Sequence, residues 1–549
     1  MDIQFEPVSR VSGALSLHAS LDTGGANTAA AMATTFRGYE VLLRDRDVRD
    51  AIFISSRACG VCGGAHALCS ALALEMTFEV RPPQFGITIR NVLAAVDNLA
   101  DHPAALFLRA GPDYSEPVVR ATNPELWTRA ESTLARGVFT HGMKTIADIM
   151  SGLTRFTGIL YRESLVMSRT AREAYVIMGG KYPHPQTIVP GGISSTVDAS
   201  DLNLALLRVT KFLDYSRKVA AVWDDLVDFF YEADPRYREV GAGPANFIDL
   251  GLWDDPEFYD GSFENSAVWG EHRWSTPGAI VNGALQTTRL PEIDNGVEEF
   301  VRRSFYEDWA DTYPKIVTED PNGNQLSARH PWNKRTLPQP ADPDPRGKNS
   351  WATAPRWRGH AMETGAGARL WITAMAQKTS NRGFMEPTGR SMLFGLPQAG
   401  LPQAELEWTV PGAWNALERN RARAYSLVQS TLVAYDNCLF AFDLARIGGP
   451  EAGVFTHYKI PKDHVIGVGF WGGARGYISH HLEVNNRVIQ NYQIVAPTTF
   501  VVGSDGSTAA PIEQAVIATP SLSTQGHERH VDVLRAVRSF DPCMSCATH

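Results

Sequence analysis

Two cysteine pairs stand at opposite extremities of this 549-residue chain. The first, Cys59 and Cys62, lies in "RACGVCGGAH" (57–66); the second, Cys543 and Cys546, lies in "DPCMSCATH" (541–549). Each has C-x-x-C spacing and a histidine soon after it, His66 and His549. Termini fray unless something ties them down. A chain that ends on thiols therefore has to fold so that its last residues are held, and a metal shared by both pairs would hold them. Closing so long a loop costs little more entropy than closing a shorter one, but it demands a prebuilt pocket. Four thiolates suit one tetrahedral ion, so structural zinc is the plain reading of the spacing. Zinc ribbons, however, keep their two pairs within a few tens of residues.

Six cysteines are too few for a disulfide scaffold of this size, and four of them sit in the pairs. That usage suits metal or redox chemistry in a reducing compartment. A net charge of −9 argues against nucleic acid as the main partner. No apolar run reaches the roughly 18 residues of a membrane helix. The opening "MDIQFEPVSRVSGALSLH" shows no basic leader or apolar core of a signal peptide. The expected location is cytoplasmic or peripheral to a membrane through a partner. It is periplasmic only if that partner carries the export signal.

The pattern of elements predicts an α+β chain, a large helical core with smaller β segments near the N-terminus and in the C-terminal third. The alternation in "GALSLHASL" (13–21) predicts a half-buried strand, and 34–56 reads as further short strands and turns. Residues 1–62 thus form an N-terminal β region carrying the first pair. Residues 63–330 are mainly helical, over 86–110, 121–178 and 198–233. The proline- and charge-rich 331–356 reads as a surface loop. Residues 357–463 are helical again. The last part, 464–549, has β segments, a final helix over about 511–538, and the cysteine tail.

The sequence around the pairs is more specific than their spacing. R-x-C-G-x-C-x-x-x-H near the start and D-P-C-x-x-C-x-x-H at the end resemble the large subunit of nickel–iron hydrogenases. "FRGYE" (36–40), "GGKYPHPQ" (179–186), "WATAPRWRG" (351–359), "GARG" (473–476) and "NYQIVAPTT" (491–499) follow in that family's order, so the resemblance covers about residues 10–549.

The resemblance implies a catalytic subunit that cleaves H2 reversibly to protons and electrons, in the uptake direction. Cys59 and Cys543 would be terminal ligands of nickel. Cys62 and Cys546 would bridge it to an iron carrying carbon monoxide and cyanide. Cys543 would also be the first proton acceptor. Arg475 would lie above the site, held by Asp101 and Asp541, with Thr498 hydrogen-bonding a cyanide and His66 beside a bridging sulfur. Glu40, His549 and the Ile494 backbone carbonyl would bind magnesium or a similar divalent ion. Ending on His549 matches the form of the family left after its maturation protease has acted. No cysteines remain for an iron–sulfur cluster in this chain, so an iron–sulfur small subunit is implied as obligate partner. A dimer of such heterodimers is compatible with the reading, and the downstream electron acceptor is not readable.

Two departures mark a divergent branch, with the actinobacterial-type uptake enzymes the nearest fit. Ser12 stands where the family carries a proton-relaying glutamate, and Ala474 stands where many members have proline. "GVGFWG" (467–472) spells a dinucleotide fingerprint, but a strand-like run follows it where a helix is needed. Cys69 and Cys438 lack partners at ligand spacing and read as packing residues. Two rival functions are compatible with these residues: a hydrogen sensor built on the same site, and a non-catalytic subunit that is zinc-stapled or related to complex I.

Overall fold

The computed structural model describes the chain except residues 1, 23–24, 345–346, 380–382, 399–402, 449–452 and 524–529. The helix Gly63–Phe78 starts directly after the first cysteine pair and is buried at every position but Met76. Such a helix, apolar all round, has to sit inside. Its neighbours are the helix Gln84–Pro103 and the strands Val465–Gly473 and Gly476–Asn485. Gln84–Pro103 in turn packs against Ile159–Gly179 and the long helix Ala416–Gly448, which also meets Lys211–Ala233. These helices form the core expected from their composition.

The strands Val465–Gly473, Gly476–Asn485 and Val488–Val495 make an antiparallel meander on the first of these helices. The glycines of "GVGFWG" explain how it lies so close. A Cβ on Gly469 would strike the Cys69 carbonyl, and one on Gly467 would strike the Ala73 carbonyl. The motif serves helix–strand contact, as its strand-like context indicated. Gly473 pairs with Gly476, so Ala474 and Arg475 form a two-residue hairpin loop.

A second small sheet joins Asp2–Phe5, Leu15–Leu21 and Ala26–Ala33. Its core also takes in residues from both ends of the sequence, among them Leu15, Val537 and Met544.

Four expectations fail. Residues 34–56 are mostly helical, as Tyr39–Leu43, a 3-10 turn Val48–Asp50, and Ala51–Ser56. Short elements of this kind are set by tertiary packing rather than by their own propensity. The run 121–178 is broken into short helices before Ile159, with Gly137, Gly142 and Gly158 at the joints. The expected final helix is two, Pro511–Ile517 and Val531–Ser539. The segment 331–356 is also not all surface: Trp332, Asn333, Lys334 and Thr336 are buried.

Candidate metal centre

The C-terminal segment runs parallel to residue 12. The Ser12 N–H donates to the Pro542 carbonyl (3.2 Å) and the Met544 N–H donates to the Ser12 carbonyl (2.7 Å). The Cys543 N–H is held by the Thr498 hydroxyl oxygen at 2.9 Å. Cys543 therefore meets the N-terminal pair from the far end of the chain. Its sulfur lies 3.4 Å from Cys59 Sγ and 3.4 Å from Cys546 Sγ, with Cys546 Sγ 3.7 Å from Cys62 Sγ. All four thiols are buried and unoxidised. Bonds of about 2.3 Å to one ion would place tetrahedral sulfurs about 3.8 Å apart, so the spacing is that of a shared metal site. Hydrogen bonds from Cys546 and Cys59 hold the Cys543 thiol well below its ordinary range, and Arg475 adds to this.

Arg475, in the hairpin loop, closes one side. Its Nη1 is 3.3 Å from Cys62 Sγ and 2.9 Å from Asp101 Oδ2. Its Nη2 is 2.9 Å from Asp541 Oδ2, and its Nε donates to the Asp541 carbonyl at 2.9 Å. Arg109 completes the arrangement at 3.0 Å from Asp101 Oδ1 and 2.5 Å from Asp541 Oδ1. Burial alone would raise the Asp101 carboxyl, but the two guanidiniums hold it at about 2. One buried and one partly buried cation thus match two buried anions, which is what burial of charge requires. Sequence reasoning missed Arg109. It lies on a π-helical turn, Ala104–Ala110, that continues the Asp101 helix.

Glu40 is brought to His549. His549 Nε2 lies 3.1 Å from Glu40 Oε1, and Lys334 Nζ and the Ile494 N–H each lie 2.9 Å from that oxygen. Thr336 donates to Oε2. The contact seen for Ile494 is through its N–H, where the sequence reading used its carbonyl. Lys334 also pairs with Glu299 at 3.3 Å. Burial would raise the Glu40 carboxyl; Lys334 and then His549 overcome this and hold it at about 2, against 4.5 in an unfolded chain. A depressed acid stabilises the fold above its unfolded value and loses that contribution as pH falls toward the folded one. Lys334→Met leaves two buried carboxylates without their ammonium. It is expected to destabilise the chain by about 3–5 kcal/mol, read as a lower thermal midpoint at pH 7. The deficit should shrink as pH drops from 4.5 toward 2.

His66 sits one turn past Cys62, its N–H on the Cys62 carbonyl and its Nδ1 3.0 Å from His480 Nε2. A second set of metal-type donors, Asp294, His330 and His481, also comes together. Its hydrogen bonds argue against an ion. His330 Nδ1 accepts the Trp332 N–H at 3.3 Å, so a neutral ring carries its hydrogen on Nε2, the atom that would have to face a metal. The group reads as one carboxylate between two imidazoles, His481 Nε2 at 2.9 Å and His330 Nε2 at 3.6 Å. Anomalous diffraction at the zinc and iron edges is expected to show no peak at this triad. A peak bonded to both Nε2 atoms would contradict the assignment.

A family model for nickel-dependent hydrogenases matches residues 37–157 and 156–549, nearly the whole chain. The chain belongs to the nickel-dependent hydrogenase family. This hydrogenase chain is 27% identical to the uptake hydrogenase large subunit of Bradyrhizobium diazoefficiens, covering 100% of this chain and 95% of that one. It is 25% identical to the Hydrogenase-2 large chain of Escherichia coli, covering 100% and 97%. Among solved structures it superposes on the actinobacterial-type NiFe-hydrogenase of Ralstonia eutropha with a TM-score of 0.96. That match has 37% identity and covers both chains fully. The branch suggested by Ser12 and Ala474 agrees with that likeness.

Proposed function

We propose that this chain is the catalytic large subunit of an uptake nickel–iron hydrogenase, oxidising H2 to two protons and two electrons. One observation carries the reading: four sulfurs from opposite ends of the chain lie 3.4–3.7 Å apart across the contacts described, with a buried guanidinium against one of them. Cys59 and Cys543 would hold nickel alone, and Cys62 and Cys546 would be shared with iron. Bound there, a nickel–iron pair with carbon monoxide and cyanide on iron would supply the soft, electron-accepting centre that polarises H2.

The chain's own groups do the rest. Arg475 is fixed by Asp101 and Asp541, so its fork-shaped donors stay aimed at the sulfurs. The Cys543 sulfur, a ligand of nickel alone in this reading and the one beside Ser12, would be the first to hold a released proton. Ser12 brackets this residue through backbone bonds. Its hydroxyl can pass a proton through water but cannot keep the charge as the family's glutamate would. Thr498 accepts from the Cys543 N–H, which leaves its own O–H to donate to an anionic ligand of iron.

The Glu40 site suits a divalent cation such as magnesium. His549 Nδ1 lies 2.6 Å from the Cys546 carbonyl and so donates to it. Without an ion both ring nitrogens carry hydrogen and Nε2–H donates to a Glu40 oxygen at 3.1 Å; a bound cation would displace the Nε2 hydrogen and free that lone pair. Nε2 and a Glu40 oxygen would then be two ligands of one cation. Such an ion would pin the last residue and, through it, both cysteines before it.

The relatives are named large subunits or large chains, so a second, small subunit is expected to partner this one. We infer that the partner carries iron–sulfur clusters. Beyond the quartet this chain offers only Cys69 and Cys438, both buried, and Cys69 donates to the Gly469 and Ile478 carbonyls. No helix among the described residues is long and apolar enough to cross a membrane. Any membrane attachment would come through the partner. Metal analysis of the purified complex tests the function: about one nickel per large subunit is expected, and zinc alone in the quartet would overturn it.

A further inference from the structure

Arg475 does not hold its two carboxylates alone. Its Nη2 lies 3.3 Å from Asp101 Oδ1 and 2.9 Å from Asp541 Oδ2. Arg109 Nη2 donates to the same two oxygens, at 3.0 Å each. Two nitrogens and two oxygens thus close a ring. Arg475 is the member that reaches Cys62. Arg109 is the outward member: its side chain is 16% exposed, against 2% for Arg475 and Asp541 and 7% for Asp101.

Local structure explains how Arg109 arrives there. Eight residues along an ordinary α-helix leave two side chains about 80° apart. Between Asp101 and Arg109 the helix changes to the π-helical turn Ala104–Ala110. Its i→i+5 winding turns less per residue and brings Arg109 back toward the face of Asp101. Such turns are rare in helices and gather at functional sites. From the other end of the chain, Asp541 has φ +53°, a left-handed backbone that Asp tolerates better than most residues. Its carbonyl accepts from Arg475 Nε and its carboxylate meets both guanidiniums, so this turn is fixed through backbone and side chain alike. Cys543 follows two residues later. Arg10 Nη1 donates to the Arg109 carbonyl at 2.6 Å, two residues before Ser12. The segment that runs beside Cys543 is therefore tied to the same residue.

We propose that Arg109 is a positioning residue of the centre. By gripping Asp101 and Asp541 from the solvent side, it keeps Arg475 aimed at Cys62 and holds the left-handed turn that delivers Cys543. Arg109 touches no substrate and moves no proton; it acts through the ring. Its effect on turnover rests on the hydrogenase reading, whereas the clamp rests on this chain's own contacts.

A crystal structure of the purified Arg109→Met complex reads the clamp whatever metal the quartet holds. Arg475 Nη1 is expected to leave hydrogen-bond reach of Cys62 Sγ, from which it now lies 3.3 Å. An unmoved Arg475 overturns the proposal. A native complex without nickel would overturn the hydrogenase reading and leave this comparison intact. Nickel is expected to stay in Arg109→Met, since Asp101 and Asp541 retain Arg475, while turnover per nickel falls about 10- to 100-fold. Nickel lost in step with turnover would show a merely structural role and overturn the assignment. Because Arg109 acts through Arg475, its removal should cost about twofold or less in an Arg475→Lys background. Losses that multiply in full would overturn that route. Arg109→Lys keeps the charge and so protects the fold, but an ammonium cannot span both carboxylates. It is expected to lose about tenfold in turnover per nickel, and full turnover from it would overturn the proposal.

Discussion

Cys543→Ser is expected to leave the purified complex without nickel and to reduce H2-dependent dye reduction to background. The sulfur of Cys543 touches both Cys59 and Cys546 and so stands at the centre of the quartet. A serine hydroxyl is a hard ligand that stays protonated near neutral pH, so it cannot replace a thiolate on a soft metal. Cys69→Ser is the control. Cys69 is as deeply buried but gives its S–H to the Gly469 and Ile478 carbonyls, bonds that a hydroxyl can make. Nickel and turnover should survive that exchange. Equal damage from the two would show that the ligands are misassigned.

Arg475→Lys is expected to keep nickel and lose about 100-fold or more in turnover, in the range seen when one preorganised donor is removed from a buried site. The guanidinium reaches Cys62, Asp101, the Asp541 carboxylate and the Asp541 carbonyl at once. An ammonium is a point charge and cannot span these directions. Asp101 and Asp541 would keep Arg109 as a counter-ion, so the fold should hold. Metal content together with turnover separates this outcome from loss of the centre. A lysine variant working at the full rate would remove Arg475 from the machinery.

The parts of this site that the sequence disclosed are those with a local signature. The cysteine spacings, the glycines flanking Arg475 and the tail that ends on His549 are short patterns. The structure brings all of them to one place. The alternation of 13–21 and the apolar run after Cys62 were legible for a similar reason, since burial on one face or all round leaves a period. What stayed hidden was set by long-range pairing. Lys334 and Thr336 sit in a stretch whose prolines and charges read as solvent-facing, yet both are buried because Glu40 lies nearly three hundred residues earlier in the chain to receive them. Arg109 follows Asp101 by two helical turns and looks like any surface arginine until Asp541 arrives from the other end. The helices within 34–56 lack a period long enough to read, and tertiary contacts decide them. The Asp294 triad shows the opposite hazard. Its residue types suggest a metal, and only the hydrogen bond at His330 Nδ1 argues otherwise.

Infrared spectroscopy of the purified, matured complex tests the central claim most directly. If both ends of the chain grip a nickel–iron centre, sharp bands from metal-bound carbon monoxide and cyanide appear in the region where few protein groups absorb, and Cys543→Ser abolishes them. A nickel-free complex with no such bands, holding a single zinc among Cys59, Cys62, Cys543 and Cys546, would contradict the account.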